Sequence, residues 1–290
     1  MQTRQFKGCI GHPEFGFGFI ADTLQQQQGY ADFHLHPASD LFFRSVSLAE
    51  ALPSEASVNN FAPPVWNQGG TGSCGGHGTA GAVTTTFASK GVRLPTPVTP
   101  RMLYTLARAG DRASPAVPLQ DVGTSPNALV RALETWGAPL ESEIPGERSA
   151  ADADYSIWLE EHVNDEPRLG ELQAANARPL INFNAIYATG SLLRDQVCAA
   201  IAAGYAVMAA VEAGSAAFQN FHGEGALGFT GSNPDHWVYF TAFRTIDGEK
   251  QILMRNSWGL GIWTPDGCAW CNEDFITRGM FYPLVANLGL

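Results

Sequence analysis

Four residues of this chain have the types and spacing needed for nucleophilic chemistry on a carbonyl group. Cys74 ends the stretch Gln68-Gly-Gly-Thr-Gly-Ser-Cys and begins a run with helical spacing, so we expect its thiol at a helix N-terminus. The unpaired N–H groups and partial positive charge of that terminus favour the thiolate, which is the nucleophilic form of cysteine. Gln68, six residues earlier, has a side-chain amide that could donate to an oxyanion.

The sequence also offers a general base for that thiol. His236 opens an apolar, strand-like run, and Asn256 lies just past the next strand. An antiparallel hairpin of these strands would bring Asn256 beside His236, with the Trp258 indole over the pair. A carboxamide oxygen that accepts from the imidazole fixes its tautomer, and an aromatic cover excludes water. The candidate catalytic residues are therefore Cys74, His236, Asn256 and Gln68.

These motifs resemble those of the papain-like (C1 family) cysteine peptidases, of bacterial or phage type. The resemblance rests on three motifs and on their order along the chain: Asn67-Gln-Gly with Gly72-Ser-Cys74, Asp235-His236-Trp-Val, and Asn256-Ser-Trp-Gly. It covers roughly residues 60–285. Two departures stand out. Gly75 replaces the usual aromatic residue after the nucleophile, and Thr71 stands where many members have a disulfide cysteine.

The resemblance implies a role for each matching residue. Cys74 would attack as a thiolate paired with a His236 imidazolium, while the Cys74 N–H and the Gln68 side chain would stabilise the oxyanion. Asp121-Val-Gly123-Thr124 resembles the glycine-bearing segment that pairs with the substrate backbone. The residues expected to contact substrate or to shield the site are Gly123, Thr124, Asp235 and Trp258.

The order of secondary structure favours an α+β fold, since helical patterns come first and strand patterns follow. Helices are predicted over 74–90, 100–108, 125–136 and 191–203, and strands over 206–212, 236–244 and 250–256. With the resemblance, this predicts a papain-like two-lobe fold. A helical lobe at about 61–145 and an antiparallel, β-barrel-like lobe at about 180–290 would form the catalytic domain, 61–290, with the cleft between them. Residues 1–60 are predicted to be an extension that wraps or occludes it.

Composition limits the partners of the chain. Its 290 residues hold 17 Lys and Arg against 28 Asp and Glu, a net charge of −11, which argues against nucleic acid or anionic membrane as partner. No apolar run approaches membrane-spanning length, and no secretory signal is seen in the chain as given, so a cytoplasmic or virion-associated location is expected. The expected partner is a protein or peptide substrate, and residues 1–60 could join a larger assembly.

The cysteines and the other histidines could serve different chemistry. Five widely spread cysteines do not suggest a disulfide framework. Cys268-Ala-Trp-Cys271 could chelate a metal, form a local disulfide or remain a pair of structural thiols. No second such motif supplies the other metal ligands, so neither a metal nor a cofactor is expected. His77, one turn after Cys74, is better explained as a packed histidine, and His222 as a residue of a loop at the rim of the cleft.

Three functions remain open from the sequence. The first is a cysteine endopeptidase that works through a thioester acyl-enzyme. The second is a catalytically silent papain-like module with a structural or binding role, for example in a virion or secretion assembly. The third is a relative that applies the same chemistry to cell-wall peptide amides.

Overall fold

The structure, a computed structural model, describes residues 36–37, 52–175 and 181–288. Most of the predicted N-terminal extension, 1–35 and 38–51, therefore lies outside the described residues. Within the described ranges there are eight α-helices: α1 Cys74–Ser89, α2 Pro100–Asp111, α3 Pro126–Trp136, α4 Tyr155–His162, α5 Leu169–Ala175, α6 Gly190–Ala202, α7 Ala216–Gln219 and α8 Glu273–Gly279.

The strands of these ranges form one sheet. They are β1 His36–Pro37, β2 Glu55–Ser57, β3 Ile181–Ala185, β4 Val207–Val211, β5 His236–Ile246, β6 Glu249–Arg255, β7 Cys268–Cys271 and β8 Phe281–Leu288. Their order is β1-β3-β8-β4-β5-β6-β7, with β2 paired to β5, and every pair except β1 with β3 is antiparallel. Among the described strands the sheet has two ends, so it is open and not the closed barrel that the term barrel-like suggests.

Helix α1 lies at the centre, and its small residues let neighbouring elements pack closely against it. Its residues from Cys74 to Phe87 are all buried. A Cβ atom at Gly76 would lie 2.3 Å from the Pro100 carbonyl oxygen of α2, and one at Gly81 would lie 2.7 Å from the Tyr239 ring. No real Cβ atom tolerates such contacts, so glycine is what allows α2 and β5 to approach α1 from two sides.

Local signals fix the helices that surround α1. Ser125 caps α3 by accepting from the Ala128 N–H at 3.2 Å, with Pro126 as first helical residue, as the sequence predicts. Thr99 caps α2 in the same way through the Met102 N–H. Helix α2 is buried all round from Pro100 to Arg108, and both helices pack against each other and against α1.

The sheet separates two hydrophobic cores. Along β5, Trp237 and Tyr239 belong to the core shared with α1, α2 and α3, whereas Val238 and Phe240 belong to the core under α6 and α8. Because successive side chains of a strand point to opposite faces, both faces of β5 are covered, and the strand is buried over most of its length. The His236 end of this rigid strand is thereby held in place. None of the helices in the described ranges is long and apolar enough to cross a membrane.

Candidate active site

Cys74 is the first residue of α1, and its side chain is completely buried. The turn before it is held by its own side chains. Asn67 accepts from the Gly69 N–H at 3.0 Å, and Gly69 adopts a φ of 59°, which glycine tolerates without strain. The Thr71 hydroxyl donates to the Gln68 carbonyl oxygen at 2.8 Å. The turn therefore presents the thiol at the electropositive end of a rigid helix.

Hydrogen bonds at both ends fix the side-chain amide of Gln68. Its Nε2 donates to the Thr71 carbonyl oxygen at 2.8 Å, and its Oε1 accepts from the Ser257 hydroxyl at 2.6 Å. The Thr71 carbonyl can only accept, so the nitrogen must lie on the side of the turn that leads to Cys74. Ser257 was not singled out in the sequence, although it lies in the Asn-Ser-Trp-Gly motif, which was the available signal.

His236 and Asn256 meet as the predicted hairpin requires. Strands β5 and β6 are antiparallel neighbours, and His236 Nε2 lies 2.7 Å from Asn256 Oδ1. Asn256 Oδ1 also accepts from the Ser257 N–H at 2.8 Å, which identifies this atom as the oxygen. The imidazole therefore carries a hydrogen on Nε2, and in the neutral ring Nδ1 is the basic nitrogen.

Aromatic rings surround this imidazole. The centroid of Trp258 lies 4.9 Å from that of His236, and Phe218 meets the same ring edge-on at 6.3 Å. Burial lowers the pKa of His236 to about 4, although the Asn256 hydrogen bond raises it in part. At neutral pH the isolated imidazole is thus neutral and is able to take up a thiol proton.

Packing of α1 on β5 brings the two halves of the site together. The indole N–H of Trp237 donates to Thr79 Oγ1 at 3.1 Å, and a Cβ at Gly78 would lie 2.8 Å from the same indole. Three residues further along α1, Gly81 lies against Tyr239, two residues further along β5. Helix and strand therefore run in the same sense at this contact, and the first residue of α1 lies toward the His236 end of β5.

The residues predicted to contact substrate are placed on both sides of α1. Thr124 and Gly123 are buried, and Thr124 Cγ2 lies where a Cβ at Gly75 would be only 2.6 Å away. This contact gives a physical reason for glycine after the cysteine. The Asp235 carboxylate accepts from the N–H groups of residues 213 and 214 at 2.6 and 2.9 Å, so it holds a loop of the backbone next to the site.

The other histidines lie in different settings. His77 Nδ1 donates to the Ser73 carbonyl oxygen at 3.0 Å, and its ring packs edge-on against Trp66 and Tyr155. Burial chiefly lowers the pKa of His77 to about 4, the Ser73 hydrogen bond opposes this, and the nearby His236 lowers it further. His77 is thus a packed, neutral histidine. His222 lies exposed in the loop between α7 and β5.

The Cys-x-x-Cys motif forms strand β7. Cys268 and Cys271 are both free and buried, and burial raises the pKa of the Cys268 thiol to about 11. Residues three apart in a strand point to opposite faces and are about 10 Å apart, beyond the reach of a disulfide. The described residues hold no cluster of three ligands that could bind a metal ion. The two cysteines are therefore core thiols, as one of the sequence alternatives had it.

The architecture is similar to that of solved cysteine proteases. Xylellain, a cysteine protease from Xylella fastidiosa, matches with a TM-score of 0.68 at 19% identity, over 95% of this chain and 97% of that chain. Procathepsin L2 from Tenebrio molitor larval midgut gives 0.65 at 20% identity, over 94% and 78%. Bromelain from Ananas comosus, solved with the E64 inhibitor, gives 0.58 at 16% identity, over 81% and 99%.

These matches define the class of fold. No protein-family model matches the sequence, and neither does any curated protein. The chain has the two-lobe α+β fold of the papain-like cysteine proteases, with helices α1 to α3 on one side and a mainly antiparallel sheet on the other. At identities of 20% or less, the likeness establishes the fold and leaves the chemistry to be argued from the residues.

Proposed function

We propose that this protein is a cysteine endopeptidase that hydrolyses peptide bonds through Cys74, His236 and Asn256. The observation that carries the proposal is the contact of His236 Nε2 with Asn256 Oδ1, which are 2.7 Å apart. This contact lies at the end of β5 that is nearer to Cys74, the first residue of α1. It leaves Nδ1 as the basic nitrogen of a neutral ring, which suits a general base for a thiol.

The chemistry proceeds in two halves. The Cys74 thiol gives its proton to His236 Nδ1, and the thiolate attacks the carbonyl carbon of the scissile peptide bond. The backbone N–H of Cys74 and the Gln68 side-chain amide stabilise the resulting oxyanion, an interaction worth about 3 kcal/mol per donor in enzymes of this kind. The tetrahedral intermediate expels the amine, which takes the proton from His236, and a thioester remains.

Water completes the reaction. His236 takes a proton from water as the oxygen attacks the thioester carbonyl, and the second tetrahedral intermediate releases the acid and the Cys74 sulfur. That sulfur recovers its proton from the imidazolium, so the site returns to its starting state. Trp258 keeps bulk water away from the His236–Asn256 pair throughout, and Gly123 with Thr124 would hold the substrate backbone.

One observation favours a second candidate, the catalytically silent module. The side chains of Cys74 and His236 are both 0% exposed, and a buried thiol without access to substrate acts only as a core residue. Reactivity therefore separates the two candidates better than stability does.

The test combines labelling with cleavage. The natural chain, Cys74→Ala and Cys198→Ala are treated with an epoxysuccinyl thiol inhibitor and incubated with a diverse peptide library. Cys198 is a matched control because it is also a buried cysteine that is not in a disulfide. We expect labelling and cleavage by the natural chain and by Cys198→Ala, and neither by Cys74→Ala.

Two other results would redirect the proposal. A folded natural chain that is neither labelled nor active would favour the silent module. Release of amines from peptidoglycan stem peptides, with no cleavage of the library or of denatured proteins, would favour a cell-wall peptide amidase. Cleavage that persists in Cys74→Ala would refute the role of this thiol altogether.

A further inference from the structure

A hydrogen-bonded link joins the turn before Cys74 to the segment that would hold substrate. The Gly72 N–H donates to both carboxylate oxygens of Asp121, each at 2.9 Å. The Tyr104 hydroxyl donates to Asp121 Oδ1 at 2.7 Å and accepts from the Gly123 N–H at 2.8 Å. We call these bonds the Asp121 link. They connect three parts of the fold, namely the Cys74 turn, helix α2 and the segment 121–124.

The surroundings leave the link little freedom. A Cβ at Gly72 would lie 3.0 Å from Asp121 Oδ1, 3.1 Å from the Gly123 nitrogen and 3.2 Å from the Tyr104 hydroxyl. The absence of a side chain at Gly72 is thus what lets all three groups converge on the turn. Tyr104 is completely buried, and the Arg108 guanidinium lies over its ring at 3.9 Å.

The protonation state of the link is fixed as well. Burial, and then the neighbouring Asp121 carboxylate, raise the pKa of Tyr104, so its hydroxyl keeps its proton and donates it to the carboxylate. Hydrogen bonds to a charged acceptor are shorter and stronger than those between neutral groups. A second support comes from Arg108, whose Nη1 donates to the Gln120 carbonyl oxygen at 2.6 Å and so fixes the residue before Asp121.

Covalent bonds do not serve this purpose in the described residues. Position 71 is threonine, and none of the four described cysteines is in a disulfide. Within the described ranges, the Gly72 N–H donates to Asp121, 49 residues further along the chain. The distance between Cys74 and the segment 121–124 therefore depends on hydrogen bonds, chiefly on those of one carboxylate.

We propose that Asp121 and Tyr104 are positioning residues, which set the distance and orientation of the Gly123–Thr124 segment relative to Cys74. The inference rests on the proposed function, because the segment matters only if it holds a substrate whose carbonyl Cys74 attacks. Misplacement of a bound substrate by about 1 Å is able to lower the rate 100-fold. Loss of the link should thus affect extended peptides, which use the segment, more than small reagents, which do not.

The test compares two reactions in the same set of variants. Asp121→Ala removes both carboxylate oxygens, and Tyr104→Phe removes only the hydroxyl. Hydrolysis of a tetrapeptide amide reports on the segment and on Cys74 together, whereas alkylation by iodoacetamide reports on Cys74 alone. Tyr239→Phe is the matched control, since Tyr239 is also a buried tyrosine and its hydroxyl accepts from the Arg255 guanidinium at 2.9 Å, away from the link.

We expect Asp121→Ala and Tyr104→Phe to lower kcat/KM for the tetrapeptide amide by roughly 10- to 100-fold, with a higher KM, while alkylation of Cys74 changes much less. Because both residues belong to one network, the double variant should lose less than the product of the single losses. Asp121→Asn, which keeps an oxygen at the Oδ1 position, should restore part of the activity.

Three outcomes would overturn the inference. The first is an active natural chain whose Asp121 and Tyr104 variants hydrolyse the peptide normally. The second is an equal loss of alkylation and hydrolysis that Tyr239→Phe reproduces, because that result reflects general destabilisation. The third is a natural chain that is alkylated at Cys74 and hydrolyses no peptide, which refutes the proposed function and the inference together.

Discussion

Replacing Asn256 by alanine is the most informative single change at the site. The change removes an oxygen that accepts two hydrogen bonds, one from His236 Nε2 at 2.7 Å and one from the Ser257 N–H at 2.8 Å. His236 has no exposed surface, so water is unable to replace the lost acceptor. The imidazole N–H then loses its acceptor in the ring that must become an imidazolium during the reaction.

The size of the effect follows from the kind of bond. A hydrogen bond to a charged group contributes about 1.5–3 kcal/mol, and a tenfold rate change corresponds to about 1.4 kcal/mol. We therefore expect Asn256→Ala to lower kcat/KM by roughly 10- to 150-fold. The Asn256 bond also opposes the effect of burial on the pKa of His236, so its loss lowers that pKa further and disfavours the imidazolium.

The assay is a pH profile of peptide hydrolysis by the natural chain, Asn256→Ala and Asn59→Ala. Loss of the proton that Cys74 and His236 share limits activity at high pH. The Asn256 bond stabilises the form in which His236 holds this proton, so the alkaline limb should move to lower pH in Asn256→Ala. Asn59 is a matched control because its Oδ1 likewise accepts two bonds, from Thr241 and Arg255. An unchanged alkaline limb in Asn256→Ala, or the same shift in Asn59→Ala, would refute the role assigned to Asn256.

Three further predictions concern the scaffold. Gly76→Ala places a Cβ 2.3 Å from a backbone carbonyl oxygen of α2. The free energy of unfolding should therefore fall by about 3 kcal/mol, which thermal unfolding would show as a Tm lower by roughly 6–12 °C. Gly110→Ala, whose Cβ would have no neighbour within 4 Å, should have little effect. Burial raises the pKa of Asp235 from 3.8 to about 6, so protonation of Asp235 stabilises the folded state. The free energy of unfolding in urea, compared with that of Asp235→Asn, should therefore fall as the pH rises through this interval. A difference between the two proteins that does not change with pH would contradict this prediction. After the folded protein has been exposed to air and then unfolded, Cys268 and Cys271 should both react as free thiols. A disulfide between them, seen as the loss of two hydrogens from the peptide that contains both, would contradict the strand geometry.

Local sequence signals were sufficient for helix α3 and for the hairpin of β5 and β6. Ser125 with Pro126 marked the start of α3, and the Asp247-Gly248 turn, where both residues have positive φ, marked the β5–β6 hairpin. These signals work because each depends on a few neighbouring residues. The papain-like fold was predicted on motifs spaced far apart, and the solved structures bear it out.

The elements that were missed depend on distant contacts. Strand β8 contains Pro283, which counts against a strand in a single sequence, and the structure gives Tyr282 beside it a positive φ. It forms because β3 and β4 pair with it on both sides. Helix α4 lies in a polar stretch without clear periodicity, yet Glu160 of this helix accepts from the Gly70 N–H in the Cys74 turn.

The same reason explains the supporting residues of the site that the sequence did not reveal. Ser257 and Asp121 act on Gln68 and on Gly72 across separations of 189 and 49 residues. Neither contact has a local pattern, because a serine or an aspartate in a loop has many uses. Motifs named the residues proposed to do the chemistry, and only the three-dimensional fold revealed what orients them.

The central claim is that Cys74 shares its proton with His236, and the pH dependence of alkylation tests it most directly. The rate of Cys74 alkylation by iodoacetamide is measured from pH 4 to pH 10 in the natural chain and in His236→Ala. An unperturbed thiol titrates near pH 8.5. We predict substantial alkylation of the natural chain well below that pH, and its loss in His236→Ala, which should titrate as an ordinary or raised thiol. Two identical profiles that rise only near pH 8.5 or above would contradict the account.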